Sequence, residues 1–428
     1  MKKIKIGVLG ATRGMDFLSK ILLNHPYAEV TAICENHIGL KEKTESEVKN
    51  LACNIKVFSD YDEFLNSGID AAIIANFANE HAPYAIKALK KGIHVLSENL
   101  PCQTMKEAVE LCEAVEKSGK IYAYGENYCY LPMVLEMRRI FQSGALGELM
   151  HAEGNFMNDC SFKWHLLTRG NRNHWRNFVP STFYCTHSIG PTLSISGCRA
   201  EKVVGMETKL MPFMAELGAR NGSAAMEIME LDNGGMAKSI NGNYRRRGNI
   251  CEYRFIAEEG TIENDIYNFG DIRVFKAKKD SAFYDETIIK PTYTFNEYEM
   301  HSYKKPGADD PFGLSDVYLI NAFIQSILGN EKAKEYMIDI YRALDFSTVG
   351  LLAYRSILEG SNAIRVPDMK NKEERKPYKN DNKSTDTSVS HGNDLLPSCK
   401  SGFVDVEDKV YERVEKKFND TPITTGMH

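Results

Sequence analysis

The chain has 428 residues, 43% of them hydrophobic and 26% charged, and 53 Lys plus Arg against 58 Asp plus Glu leave a net charge of −5. These totals describe a soluble globular chain long enough for two domains, not a disordered or membrane one, and offer no basic stripe for nucleic acid. No apolar run is long enough to span a bilayer, and MKKIKIGVLG reads as a first strand, not a secretory signal. A cytoplasmic location follows as the expectation, with the 10 cysteines, none in a CxxC pair, as reduced and mostly buried thiols.

The first 125 residues alternate between strands and helices. Ile4–Leu9 reads as a strand, followed by a glycine-containing turn and a helix over Met15–Leu23. Val30–Cys34 is a second strand ending at Glu35, and the almost wholly apolar Asp70–Ala75 a third. Helix Pro83–Lys91, strand Ile93–Leu96, helix Met105–Lys117 and strand Ile121–Gly125 complete the series. Thr104 and Glu107 form a capping box for the second of these helices, just after Pro101. Such alternation predicts an α/β domain over residues 1–125, a doubly wound parallel sheet of right-handed βαβ units.

From residue 126 to 368 the pattern changes. Gly147–Phe156, Lys202–Thr208, Ala224–Asp232, Gly235–Tyr244 and Tyr253–Ala257 read as longer strands, with Asp232-Asn233-Gly234-Gly235 as a turn. Helices Ser315–Leu328 and Met337–Leu358 follow. This predicts an α+β domain with a mainly antiparallel sheet and one exposed face. Residues 369–428, with the polar run KNKEERKPYKNDNKSTDTSVSHGND, read as a largely disordered tail carrying one short helix near Val404–Phe418. Arg245-Arg246-Arg247 reads as a solvated strand end, and no internal repeat is visible.

The turn after the first strand, Gly10-Ala11-Thr12-Arg13-Gly14, is not a clean GxGxxG. It does join a strand to a helix, where glycines let a pyrophosphate approach the backbone and a helix N-terminus supplies N–H groups. An ordinary βα turn uses glycines as well, so Glu35 decides: it ends the second strand, where a dinucleotide needs an acceptor for its adenosine ribose. A carboxylate there repels a 2′-phosphate and favours NAD over NADP, while Arg13 could contact a phosphate. Glu98, in VLSENLPCQT, places a further carboxylate at the carboxyl end of a strand, where ligands bind in open α/β sheets.

Ala75-Asn76-Phe77-Ala78-Asn79-Glu80-His81-Ala82, then AIKALKKGIHVLSENLP, AYGENYCY, GALGELMHAEG and IDIYRALDFSTVGLLAYRSILEG, resemble in order and spacing the Gfo/Idh/MocA oxidoreductases over roughly residues 1–368. The resemblance implies an N-terminal Rossmann NAD domain, a sheet domain that often builds dimers or tetramers, and a sugar or cyclitol substrate between the two. It puts Gly10, Thr12, Arg13, Gly14, Glu35, Asn76, Asn79, His81, Glu98 and Asn127 on the cofactor side. The family's Glu-Lys-Pro at the fourth strand is altered here: Glu98 is kept, Asn99 replaces the catalytic lysine and Leu100 is inserted before Pro101. Phe183 stands where the family's Asp-x-Gly-x-His begins.

Tyr184-x-Thr186-His187-x-x-Gly190-Pro191 resembles instead a branch of NAD-dependent glycosidases of the α-N-acetylgalactosaminidase type, which also lack that lysine. The likeness makes Tyr184 and His187 the acid/base pair and His187 a residue of the interdomain cleft. A histidine near neutrality suits proton removal from a hydroxyl as hydride leaves. In the glycosidase version, oxidation at the sugar 3-position acidifies C2–H, the C1 group is eliminated, water adds and the ketone is reduced again. Residues 158–177 hold both tryptophans, and Lys163, Trp164, Arg172 and Trp175 are candidates for packing on and hydrogen bonding to a sugar. A surface loop anchored by its tryptophans explains the same residues. Asp159, Cys160, His165 and His174 match no metal-ligand spacing, so no metal is expected. Three functions compete: a redox-neutral glycosidase, a net sugar or cyclitol dehydrogenase, and a non-catalytic NAD-binding regulator.

Overall fold

The computed structural model describes residues 3–50, 54–243, 251–291 and 311–421. The arginine run 245–247 and Cys53 lie outside them. Two compact units emerge: Met1–Gln103, Glu107–Pro132 and Thr292–Leu344 form the first, and Thr104–Lys106, Met133–Pro291 and Asp345–His428 the second.

The first unit is built on a parallel six-stranded sheet in the order β3-β2-β1-β4-β5-β6. Along the chain come β1 (Ile4–Leu9), α1 (Ala11–Lys20), β2 (Ala28–Cys34), α2 (Ile38–Asn50), β3 (Lys56–Phe58), α3 (Tyr61–Leu65), β4 (Ala71–Ile74), α4 (His81–Lys90), β5 (His94–Ser97), α5 (Met105–Ser118) and β6 (Tyr122–Tyr124). Every residue of β4 is buried, as a strand covered on both faces requires. The strands expected as third and fourth are therefore fourth and fifth. The overlooked β3 has only three residues, and the polar α2 carries little apolar pattern. Helix α1 begins at Ala11, ahead of the expected Met15, because the Ala11 N–H is taken by the Glu35 carboxylate from the end of β2.

The second unit opens with α6 (Pro132–Gln142), β7 (Leu149–Met157), α7 (Trp164–Thr168), α8 (Thr186–Ser196), β8 (Ala200–Glu207) and α9 (Pro212–Ala215). Strands β9 (Ala224–Leu231), β10 (Met236–Gly242), β11 (Cys251–Ala257), β12 (Gly260–Asn264), β13 (Ile272–Ala277) and β14 (Tyr284–Ile289) follow. After α10 (Pro311–Ile327) and α11 (Glu331–Tyr336) in the first unit come α12 (Ile340–Leu358), β15 (Ile364–Arg365), α13 (Lys372–Arg375) and α14 (Asp408–Asp420). The nine-stranded sheet runs β14-β13-β12-β11-β7-β10-β9-β8-β15 and is antiparallel except for the parallel pair β7–β10. Residues of its buried face alternate with outward ones such as Met206, Ile228, Met236 and Ile256, all exposed.

The expected disordered tail is instead ordered through residue 421. Asp381 takes both Nη1 and Nη2 of the largely buried Arg355, at 2.5 and 2.7 Å, and Arg375 is buried with Nη1 on the Met369 carbonyl. Tyr354 donates to the Pro397 carbonyl, and Lys400 binds Glu207 through its backbone N–H. Composition failed here because the segment is held by charge pairs and side-chain-to-backbone hydrogen bonds more than by apolar burial.

Candidate functional site

Within the first unit the strand ends bring the expected cofactor residues together. Gly10 sits at φ 91°, and a Cβ there would come within 2.5 Å of the Ala75 carbonyl, so only glycine lets the ends of β1 and β4 close up. Gly14 lies against Val8 and lets α1 pack onto β1. Gly10 offers α1 no side-chain cap of its own, and Thr12 on the first turn is exposed. Glu35 is buried and accepts the Ala11 N–H at 2.9 Å on one oxygen and the His37 N–H at 3.0 Å on the other, leaving lone pairs for a ribose diol.

Arg13 turns to carboxylates, not outward. Its Nε donates to Glu98 at 2.8 Å and its Nη2 to Asp316 at 2.7 Å, and its guanidinium lies 4.2 Å from the Phe17 ring centre. Burial works against that charge, but Glu98 and Asp316 outweigh it and hold the guanidinium above its ordinary range. Asn127 Nδ2 donates to the same Asp316 oxygen at 3.2 Å. Asp316, on α10, was not foreseen, since nothing local in the sequence links it to a turn at residue 13.

His81 is a brace between loops. Its Nδ1 lies 3.0 Å from the Leu100 carbonyl and its Nε2 3.2 Å from the Asn76 carbonyl, and burial pushes its pKa down to about 4. Asn79 accepts Gln103 Nε2 on its carbonyl at 2.6 Å. Asn76 Nδ2 donates to Glu80, while Asn76 Oδ1 and Asn99 Oδ1 are buried with no partner among the described residues. Unpartnered acceptors at the ends of β4 and β5, a glycine turn, the start of α1 and Glu35 together fit a nicotinamide dinucleotide.

In the second unit, Tyr184, His187 and Trp175 meet. The His187 ring packs edge-on to Tyr184 at 5.1 Å and to Phe156 at 4.6 Å between centroids. Tyr184 stacks on Trp175 at 6.1 Å and 14°. The Arg176 guanidinium lies 4.4 Å from the Trp175 ring centre and 5.4 Å from that of Tyr184. His174 stacks on Trp175 at 5.8 Å, and burial pushes its pKa down to about 3, so it is neutral at physiological pH. The expected pair Tyr184 and His187 thus meets Trp175 from the separate 158–177 segment, and Arg176 and Phe156 join them.

The other substrate candidates are elsewhere. Trp164 is buried against Met214 and Ala219 and donates its indole N–H to Asn177 at 3.1 Å, so it is core. Arg172 grips the C-terminal segment: Nη1 donates to the Val406 carbonyl and to Asp408, both at 2.7 Å, Nη2 donates to Asp405, and the guanidinium lies over Tyr411. Lys163 lies near the exposed Phe162 ring. These side chains look alike in sequence because tryptophan and arginine serve cores and braces as readily as sugars. Among the described residues no three His, Cys, Asp or Glu side chains gather as metal ligands, none of the nine described cysteines is in a disulfide, and no helix is long and apolar enough to cross a membrane.

Residues 4–126 match the profile of the Gfo/Idh/MocA family, described as the oxidoreductase family with an NAD-binding Rossmann fold, and form an NAD-binding Rossmann domain of that family. The chain is 22% identical over 396 residues to an α-N-acetylgalactosaminidase of Shewanella oneidensis, covering 86% of this chain and 85% of the relative. It is 24% identical over 329 residues to an α-N-acetylgalactosaminidase of Bacteroides fragilis, covering 70% and 75% of the two chains. The fold is similar to that of scyllo-inositol dehydrogenase from Lactobacillus casei, solved with NAD(H) and scyllo-inositol, with a TM-score of 0.66 at 18% identity over 85% of this chain and 99% of that one.

Proposed function

We propose that this chain is an NAD-dependent enzyme acting on a carbohydrate hydroxyl, and that it works as a redox-neutral glycosidase. The observation that carries this is the contact of His187 with Tyr184 inside an aromatic wall completed by Trp175 and Arg176. The relatives named α-N-acetylgalactosaminidase, and Asn99 in place of the family lysine, support the same reading.

Bound NAD⁺ supplies reversible hydride transfer at a sugar carbinol; Gly10, Thr12, Gly14, Glu35, Asn76, Asn79, Glu98 and Asn127 would hold it, with Arg13 and His81 shaping the loops around them. His187 takes the proton of the 3-hydroxyl as its carbon becomes a carbonyl. That carbonyl acidifies C2–H. Tyr184, entering as the phenolate, removes the C2 proton, the C1–O bond breaks, and the phenol so formed passes its proton to the leaving oxygen. Water then adds across C1=C2, hydroxyl to C1 and proton to C2. His187 returns its proton to the 3-oxygen as the ketone is reduced, so the net reaction is hydrolysis. Arg176 offers positive charge beside the Tyr184 phenolate and the enolate that replaces it, and the Trp175 face packs on sugar C–H groups.

The first unit, residues 1–125 as expected with the additions around Asn127 and α10, serves as the cofactor domain, and the second unit as the substrate domain. The exposed Met206, Ile228, Met236 and Ile256 on the outer face of the sheet favour a homo-oligomer formed through that face. Nine described cysteines outside disulfides favour a reducing, cytoplasmic compartment.

The test is aglycone release from aryl glycosides, aryl α-N-acetylgalactosaminides first, with the absorbance of reduced nicotinamide followed in parallel. Release without net NADH, abolished in His187→Ala, is expected. Steady NADH formation from free sugars and added NAD⁺ without release means a net dehydrogenase. Activity untouched by His187→Ala removes the proton role from this residue.

A further inference from the structure

Helix α8 carries His187 in its first turn and Pro191 four residues later. In an α-helix the carbonyl of residue i accepts the N–H of residue i+4. Proline has no N–H, so the His187 carbonyl loses its helical donor in a buried position. Tyr253 replaces it: its hydroxyl donates to the His187 carbonyl at 2.6 Å.

The sheet beneath is shaped for this contact. Tyr253, on β11, is buried and pairs with Gly154 of β7. A Cβ on Gly154 would come within 2.5 Å of the Ser188 carbonyl, so the glycine is what lets α8 descend onto the strand. On the other side of Gly154, Ser239 of β10 pairs in parallel register, and its hydroxyl meets that of Ser188 at 2.6 Å. Ser188 also donates to the Cys185 carbonyl at 2.7 Å. The turn bearing His187 is thus pinned on one side through its carbonyl and on the other through the next side chain.

We infer that Tyr253 is a positioning residue for His187, its hydroxyl standing in for the backbone donor that Pro191 removes. The inference rests on the proton role proposed for His187. Tyr253 does not reach the reacting atoms in this account. It fixes the turn from which the imidazole projects.

The experiment is a double-mutant cycle on the full chain: Tyr253→Phe, Pro191→Ala, both together, and His187→Ala as reference. Aryl-glycoside kinetics are read beside the His187 Cε1–H proton resonance, assigned by its loss in His187→Ala. Tyr253→Phe is expected to lower kcat about tenfold, to leave KM within about threefold, and to shift or broaden the His187 resonance. In the Pro191→Ala background, where a backbone N–H is restored, the same change is expected to cost less than about threefold and to leave the resonance sharp. Equal losses in the two backgrounds, or an unmoved resonance in Tyr253→Phe, overturn the inference. If Tyr253→Phe does not fold, folding of the double variant supports the donor replacement, and its failure to fold makes Tyr253 a packing residue and overturns it. Activity that survives His187→Ala defeats the proposed function, and the resonance still decides the role of Tyr253.

Discussion

Arg13 and Asp316 stand 303 positions apart in sequence and meet through an Nη2–Oδ1 contact of 2.7 Å. The pair ties α10 to the helix that opens the glycine turn, and the same guanidinium holds Glu98 through Nε. Arg13 is thereby kept from acting as a free phosphate ligand. Asp316→Asn keeps the shape and removes the charge, leaving Arg13 one carboxylate. A loss of about 1–3 kcal/mol in stability is expected by denaturant titration, since a largely buried cation loses a charged partner. An unchanged midpoint contradicts the bond's role.

Glu35 is expected to govern the choice of cofactor. Its carboxylate ends β2 beside the start of α1 and already accepts two backbone N–H groups, that of Ala11 among them. Glu35→Ala removes the repulsion of a 2′-phosphate and the acceptor for a ribose diol. The ratio of NADP to NAD affinity should rise at least about tenfold, with about 1 kcal/mol of stability lost with the backbone cap. Fluorescence titration with the two reduced cofactors measures the ratio.

Two opposed pH dependences are built into the fold. Burial pushes His25 and His81 down to about 4 and His174 down to about 3. These rings stay neutral in the fold while the unfolded chain takes up protons near 6.5, so their stabilisation is complete above that pH. It falls away as pH drops towards 4. Burial pushes Glu227 up to about 7 although Asn241 donates to both its oxygens. Its protonated form is favoured in the fold, so this stabilisation is complete at low pH and is lost as pH rises from the ordinary glutamate value to about 7. Glu227→Gln should therefore gain stability relative to the parent between pH 5 and 8. Thermal melts of both proteins across that range check it, and a constant difference contradicts it.

Arg172 is expected to hold chain, not sugar. Arg172→Ala releases Asp405, Val406 and Asp408 from one guanidinium. Limited proteolysis should accelerate within residues 400–421, while KM for glycosides stays within about threefold of the parent, because the exposed carboxylates contribute order more than global stability. A large rise in KM without new cleavage would return Arg172 to the substrate site.

Much of the first unit could be read from residue order. DAAIIA, short, apolar and set among helical stretches, reads as a buried strand, which β4 is, and the Gly10 turn and Glu35 were expected side by side, as the Ala11–Glu35 hydrogen bond has them. Tyr184 and His187 lie on one helix start, so their spacing already brings them near each other. Asp316 and Tyr253 escaped, and Arg172 was expected at a sugar, because their partners are distant in sequence, and no local pattern records that Tyr253 replaces a donor lost at Pro191. Trp164 and Trp175 share one segment, yet one faces Met214 and the other Tyr184. The segment after Pro367 misled because its polar groups are satisfied by Arg355, Glu207 and Arg172.

The most direct test of the central claim is hydrolysis of an aryl glycoside in D₂O, followed by mass and proton spectra of the released sugar. Elimination through a 3-ketone removes the C2 proton to a side chain that exchanges with solvent, and water addition returns a solvent proton. One carbon-bound deuterium at C2 is therefore predicted, with the hydrogen at C3 retained. A released sugar without carbon-bound deuterium would mean that the glycosidic bond breaks by direct displacement, and the redox-neutral account would fall.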